Sequence, residues 1–172
     1  MLAVLAILAM LAMSMTIPMW RPARESEDDD LVEMSLALYA DDPPTHRVTE
    51  AQTRETLARF RREPVRGRVA VLDAGGEAVG YAFLVSFWSN ELAGEVCIID
   101  ELFVREGWRS RGSGARLIEA IDAGDILWPG RPVALELEVS PANVRALALY
   151  ERLGFEIKRN ATMRRKSGGV AR

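Results

Sequence analysis

The chain has 172 residues, 49% of them apolar and 27% charged, a balance that suits one folded core of ordinary size and excludes a low-complexity or disordered chain. Its formal net charge of −3 gives no reason to expect nucleic acid as the main partner. Cys97 is the one cysteine and His46 the one histidine, which excludes a disulfide framework within the chain, a Cys/His metal site and a histidine-centred nucleophilic triad.

In chain order, Met1 to Met13 is wholly apolar, shorter than the roughly 20 residues of a spanning helix and without the positive start of a secretory signal. Residues 1–15 are therefore set apart as an apolar leader. It is a membrane anchor if the run continues through residues 1–20, or a mis-assigned start ahead of Met10, Met13, Met15 or Met19. Residues 16–166 are expected to form a single domain, and 167–172 a flexible basic tail. Thr16–Arg24 reads as a strand, and Ser26 as the cap of a helix to about Ala40, with Asp28, Asp29 and Asp30 near its positive end. Asp41-Asp42-Pro43-Pro44 interrupts the chain. Thr49 with Gln52 has the spacing of a capping box for a second helix ending before Pro64. Val65–Asp73 and Glu77–Ser89 then form a hairpin around Ala74-Gly75-Gly76. A third strand runs from Val96 to Val104, where Cys97 has a buried packing role, and a helix with Leu117, Ile118 and Ile121 on one side begins near Ser113. Strand Val133–Val139 precedes a last helix that Gly154 terminates, and a short strand is expected around Ala161–Arg165.

Between the third strand and its helix lies Arg105-Glu-Gly-Trp-Arg-Ser-Arg-Gly-Ser-Gly114, a loop rich in glycine and arginine. Side-chain-free Gly112 and Gly114 let the main chain approach an anion ahead of the helix's positive end, and Arg105, Arg109, Arg111 and Arg116 add charge. A P-loop would need lysine where Ser113 stands, and a dinucleotide fingerprint would need glycine at Leu117. Arg109-x-x-Gly112-x-Gly114 instead resembles the coenzyme A pyrophosphate loop of the GNAT N-acetyltransferase superfamily. A second segment, Asn143-x-x-Ala146-x-x-Leu149-Tyr150-x-x-x-Gly154-Phe155, is similar to that family's signature at every fixed position. Asn143 and Tyr150 are two helical turns apart, roughly 10 Å along one face, so that one could orient an amide while the other reaches a thiol. The resemblance runs from about Thr16 to Lys166.

This resemblance implies a mixed α/β fold: a mostly antiparallel twisted sheet of six to seven strands with about four helices, its strands splayed at the cofactor site. It implies acetyl-CoA as cosubstrate without a metal, and transfer of the acetyl group to a primary amine by direct attack through a tetrahedral intermediate. Because acetyl-CoA is cytosolic, a cytoplasmic location is expected, a mis-assigned start is the preferred reading of the leader, and a membrane partner is not expected. The cofactor contacts implied are Leu102, Phe103 and Val104 on a bulged strand, the loop residues Arg109, Ser110, Arg111, Gly112, Ser113, Gly114 and Ala115, and Asn143 and Tyr150. Tyr150 is the candidate general acid toward the thiolate, since a phenol near pKa 10 is still protonated when a thiol near 8.5 has ionised. Its alternative is an amphipathic side chain packed on the sheet. Glu101, which strand alternation groups with Ile99 and Phe103, is the first candidate base, with a structural ion pair or a bulge cap as the equal alternative; Glu136 and Glu138 compete for the role. Arg109 and Arg111 pair with phosphate or are solvated. Asp41, Asp42, Glu91 and Glu95 are candidates for an acidic acceptor mouth, and Trp88 and Trp108 for its wall. The partner expected is a small-molecule or peptide amine, with a homodimer left open. Two other readings stand beside this one: a non-catalytic acyl-CoA-binding or sensor module on the same fold, and a nucleic-acid-binding domain using the arginines and the basic tail.

Overall fold

Five strands and four helices make up the residues that the computed structural model describes, which are 16–41, 47–124, 126–159 and 162–163. The chain divides into two compact units, Met1–Glu138 and Val139–Arg172. In the first, β1 (Met19–Pro22), β2 (Gly67–Ala74), β3 (Glu77–Ser89), β4 (Gly94–Val104) and β5 (Ala134–Leu137) pair in sequence order, antiparallel except for the parallel β4–β5 contact. Helices α1 (Asp28–Asp41) and α2 (Glu50–Arg62) lie between β1 and β2 in the chain, and α3 (Ser113–Ala123) between β4 and β5. The second unit carries α4 (Val144–Arg152).

β3 is buried from Ala78 to Leu84 without interruption, as expected of a strand covered on both faces. On one face Val71, Tyr81, Phe83 and Phe103 pack with Leu31, Val32 and Met34 of α1 and Leu57 of α2. On the other, Leu72, Val79 and Trp108 gather with Trp20, whose indole N–H donates to the Ser113 carbonyl at 2.7 Å and so ties the start of α3 to β1. The hairpin turns on Gly75 and Gly76, both with positive φ, and Asp73 Oδ1 accepts the Gly76 N–H at 2.8 Å. Arg21 of β1 bonds both Asp73, at 2.6 Å, and Glu27, at 3.0 Å, joining β1 to the hairpin and to the entry of α1.

The Thr49/Gln52 capping box and the bounds of β3 stand as the sequence predicts. Other expectations need correction. The sheet has five strands among the described residues, not six to seven; Thr162 and Met163 are not in a strand, and the rest of the last expected strand lies outside the described residues. Ser26 does not cap α1: a 3-10 turn at Glu25–Glu27 leads into the helix, and the Glu27 carboxylate accepts the Arg24 N–H at 2.7 Å. β1 is short because prolines at 18 and 22 bracket it. β5 stops at Leu137 because its partner Ile99 is followed by a bulge. Residues 1–15, the tail and residues 42–46, which include all of the expected Asp41–Pro44 break except Asp41, lie outside the described residues, and no described helix is long and apolar enough to cross a membrane.

Candidate active site

A one-residue irregularity in β4 sets the position of Glu101. Phe83 pairs with Glu101 and the next residue, Leu84, with Ile99, leaving Asp100 as an extra residue. Successive residues of β3 face opposite sides, so Glu101 and Ile99 do as well, which corrects the alternation expected from sequence. Glu101 thereby shares the face of Phe83 and Phe103, beneath α1. It is 9% exposed, and three hydroxyls donate to its carboxylate: Tyr39 to Oε1 at 2.5 Å, Tyr81 to Oε2 at 2.5 Å and Ser35 to Oε2 at 3.4 Å. Thr53 of α2 stands behind Ser35 at 3.2 Å. Burial pushes the Glu101 carboxyl above the ordinary glutamate value, Asp100 adds to the shift, and the three donors oppose it. Burial and the adjacent carboxylate likewise hold the Tyr39 and Tyr81 phenols above their usual value. Beyond the bulge, Leu102, Phe103 and Val104 keep their pairing with β3, while the β5 ladder ends at Ile99. The pairing of β4 with β5 thus stops at the residue before Asp100.

The loop after β4 reaches α3 through two left-handed residues, Ser110 (φ 64) and Gly112 (φ 75). The first intrahelical bond of α3 runs from the Arg116 N–H to the Gly112 carbonyl at 3.1 Å, so the amides of Ser113, Gly114 and Ala115 precede the ladder. A left-handed residue followed by a right-handed helix start turns successive N–H groups to one side, the geometry of an anion-binding concavity. The arginines brace this turn. Arg109 donates to the Val104 carbonyl at 2.7 Å and to Asp41 at 3.1 Å, with its guanidinium 5.5 Å from the Phe103 ring centre. Arg111 stacks 4.5 Å from the Trp108 ring centre and donates to the Gly107 carbonyl. Arg116 bonds the Arg111 carbonyl and Ser113 Oγ, and its buried Nε has no partner among the described residues. Arg105 turns elsewhere, to Glu33 at 2.7 Å.

In the second unit, Asn143 is the N-cap of α4: its Oδ1 accepts the Ala146 N–H at 3.1 Å. The cap occupies the carbonyl end of that side chain, and the carboxamide NH2 is the end that could orient a ligand. Tyr150 is partly buried, packs 5.6 Å from the Phe155 ring and has its phenol pushed upward by burial. Gly154, with φ 86, follows the helix end.

Among the other candidates, Glu136 is partly buried beside Ile98, on the sheet face of Glu101, and Glu138 is exposed. Glu95 accepts a hydrogen bond from Ser86, and Glu91 is exposed. Trp108 is buried, whereas Trp88 is 67% exposed. Cys97 is fully buried, with its thiol pushed up to about 12, which fits packing and not nucleophilic chemistry. Asp42 and His46 lie outside the described residues, and no group of metal-ligating side chains is found among the described ones. The sequence reading missed Ser35, Tyr39 and Tyr81. Their signal was available: Ser35 and Tyr39 are four apart, on the α1 face that carries Leu31 and Met34, and polar groups on a core-facing stripe require a polar partner.

Residues 32–155 match the model of the Acetyltransferase (GNAT) family. The uncharacterized N-acetyltransferase YhfO of Bacillus subtilis (strain 168) is 27% identical over 110 residues, spanning 64% of this chain and 72% of that protein. A possible acetyltransferase from Clostridium difficile 630 shares the fold with a TM-score of 0.72 at 19% identity, covering 88% of this chain and 99% of that one. The aminoglycoside N-acetyltransferase AAC(6')-Iy, solved in complex with CoA, does so with a TM-score of 0.64 at 18% identity, covering 89% and 97%. With the family model spanning well over half of the sequence, the chain belongs to the GNAT acetyltransferase family.

Proposed function

We propose that the protein transfers the acetyl group of acetyl-CoA to a primary amine, a small molecule or a peptide, by direct attack of the amine on the thioester. The observation that carries this reading is the turn at Gly112: a left-handed residue without a Cβ, ahead of three amides that precede the helical ladder. The residues fit a diphosphate, since Gly112 has no Cβ at that turn, where one would meet only the end of Arg116, at 3.3 Å, and the orphaned Arg116 Nε is a donor without an acceptor. Ser113, Gly114 and Ala115 would hold the phosphates through their amides, with Arg109, Ser110, Arg111 and Gly112 shaping the loop. Main-chain groups of Leu102, Phe103 and Val104 would bind the pantetheine arm beyond the end of the β5 ladder, and Asn143 would orient an amide. When bound, the cosubstrate supplies an activated acetyl group. Glu101 accepts the proton of the acceptor ammonium, and Tyr150 donates one to the departing thiolate. An amine of pKa near 10.4 is neutral in only about one molecule in 2,500 at pH 7, a handicap of roughly 4–5 kcal/mol, so a base with a raised pKa is what this step needs.

One observation favours a second reading. The Glu101 carboxylate is enclosed by three hydroxyls, which also suits a structural role in a non-catalytic acyl-CoA-binding module. Two measurements decide. Thermal stabilisation by acetyl-CoA tests the cofactor site, with about 2.7 kcal/mol expected at a hundred times the dissociation constant. Amine-dependent release of CoA thiol across an amine panel, corrected for hydrolysis, tests catalysis. Stabilisation without thiol release selects the binding module, and neither effect refutes both readings.

A further inference from the structure

Glu101 has a problem that the base assignment alone does not solve: it is 9% exposed, and its carboxylate lies behind hydroxyls. Tyr81 and Ser35 are fully buried, and Thr53 behind Ser35 is 3% exposed. Tyr39 differs. It sits in the last turn of α1, is partly exposed, and its Oη reaches Glu101 Oε1 at 2.5 Å. Two residues on, Asp41 bonds Arg109 at 3.1 Å, so this end of α1 is held against the loop that follows β4. Of the three hydroxyls on the carboxylate, the one at the solvent margin therefore lies toward the side of the molecule that carries the cofactor turn.

We infer that Tyr39 is the proton relay between the acceptor amine and Glu101, so that the buried carboxylate acts on the substrate through the Tyr39 hydroxyl and not by direct contact. The inference rests on the reading of Glu101 as the base. The step balances. The N–H bond of the acceptor ammonium breaks and its proton goes to Tyr39 Oη, as the proton already on Oη passes to Glu101 Oε1. The ammonium becomes a neutral amine, the carboxylate a carboxylic acid, and Tyr39 ends as the phenol it began as. As the C–S bond breaks after the N–C bond has formed, the nitrogen sheds its second proton to solvent, Tyr150 regains from solvent the proton that it gave the thiolate, and the Tyr39 hydroxyl then returns the Glu101 proton to water. The groups facing Glu101 are the hydroxyls of Ser35 and Tyr39 from α1, that of Tyr81 from β3 and the carboxylate of Asp100 from β4. Because burial and the neighbouring carboxylate hold the Tyr39 phenol above its usual value, a free phenolate is not required at any point.

Tyr39→Phe and Tyr81→Phe each remove one 2.5 Å donor from the same carboxylate, and only the first removes the relay. The probes are the best alkylamine from the thiol-release panel and its trifluoromethyl analogue, which reaches the site already neutral. Both variants should shift the acid limb of the kcat/KM profile to higher pH, because a carboxylate that loses a donor binds its proton more tightly. Above that limb, Tyr39→Phe should lower kcat/KM for the alkylamine by about tenfold or more while leaving the fluorinated amine within about threefold of wild type. Tyr81→Phe should leave both within about threefold, and Ser35→Ala replaces it if that variant does not fold. Equal losses in Tyr39→Phe and Tyr81→Phe, or an equal loss with both amines, would overturn the relay. Glu101→Gln separates the two levels: full activity in that variant removes the base reading itself, whereas an inactive Glu101→Gln beside an unaffected Tyr39→Phe removes only the relay. A panel in which wild type turns over no amine overturns both.

Discussion

Gly112→Val tests the cofactor turn directly, and its two effects have separate causes. The first is intrinsic. Gly112 has φ 75 and ψ 12, in the left-handed region, where a β-branched residue is a genuine outlier. Holding valine there costs about 1–3 kcal/mol, and at roughly 2–4 °C per kcal/mol for a chain of this length the apo Tm should fall by about 2–12 °C. Steric conflict within the protein adds little, since the new Cβ would meet the flexible end of Arg116 at 3.3 Å. The second effect is on the ligand. Side-chain bulk at the turn keeps a diphosphate away from the amides of Ser113, Gly114 and Ala115. Acetyl-CoA at a hundred times its dissociation constant should add about 2.7 kcal/mol to wild type, or about 5–11 °C, and nothing to the variant. The assay is a pair of thermal melts with and without acetyl-CoA. Gly107→Ala is the control in the same loop: a Cβ there meets nothing within 4 Å, so both the apo Tm and the ligand-induced shift should stay as in wild type. A Gly112→Val protein whose Tm rises with acetyl-CoA as much as wild type would refute the assignment of this turn.

Tyr150→Phe should lower turnover by about 10²-fold while leaving acetyl-CoA affinity unchanged, as read by steady-state thiol release beside a binding titration; unchanged turnover would take Tyr150 out of the mechanism. The Arg21 cluster should make stability pH-dependent. The Arg21 hydrogen bond holds the Glu27 carboxyl below its ordinary value, and the Gly76 amide, with Arg21, does the same for Asp73. A carboxyl depressed in the folded state contributes stability above its unfolded pKa of about 4 and loses it as pH falls through the lower folded value. The Tm advantage of wild type over Arg21→Met should therefore shrink as acid is added below that point, and a gap that stays constant from neutrality into strong acid would contradict the assignment. Leu57→Ala, at a fully buried position where α2 meets the sheet, should cost about 2–5 kcal/mol in urea unfolding; a cost under about 1 kcal/mol would mean that α2 does not anchor this face.

Legibility in the sequence followed the range of the interactions. Thr49 and Gln52 announce the start of α2 because a capping box is complete within four residues. The Ala74-Gly75-Gly76 turn is equally local, since positive φ at both glycines forces the hairpin. Asn143 stands out as part of a motif, and its cap on Ala146 is a second, local role of the same side chain. The start of α1 is ambiguous in sequence because both Ser26 and Glu27 can accept amide hydrogen bonds, and it is the longer acidic side chain that reaches back to Arg24. The polar residues of the α1 stripe can be read from the sequence, but not that Glu101 is the partner they meet. Its donors come from positions 35, 39 and 81, brought together only by stacking α1 on the sheet. Period-two alternation gave the wrong face for its neighbour Ile99, because an extra residue in a strand leaves no mark on composition.

That extra residue links the core to the chemistry. Without the bulge, pairing would continue from Leu84–Ile99 to Phe83–Asp100 and Ala82–Glu101. Glu101 would then stand on the Ile99 face, away from α1 and its hydroxyls, while Asp100 would face Met34 and Leu31. The inserted position instead leaves Asp100 exposed, turns one carboxylate toward Ser35, Tyr39 and Tyr81, and ends the β5 ladder at Ile99. On the proposed reading, two needs of acyl transfer, a base whose proton affinity is raised and a strand edge with main chain left over for a ligand, would share one cause. The sheet around it can tolerate the irregularity because β3 keeps its partner on both sides of the bulge, from Gly80–Val104 through Ser89–Gly94.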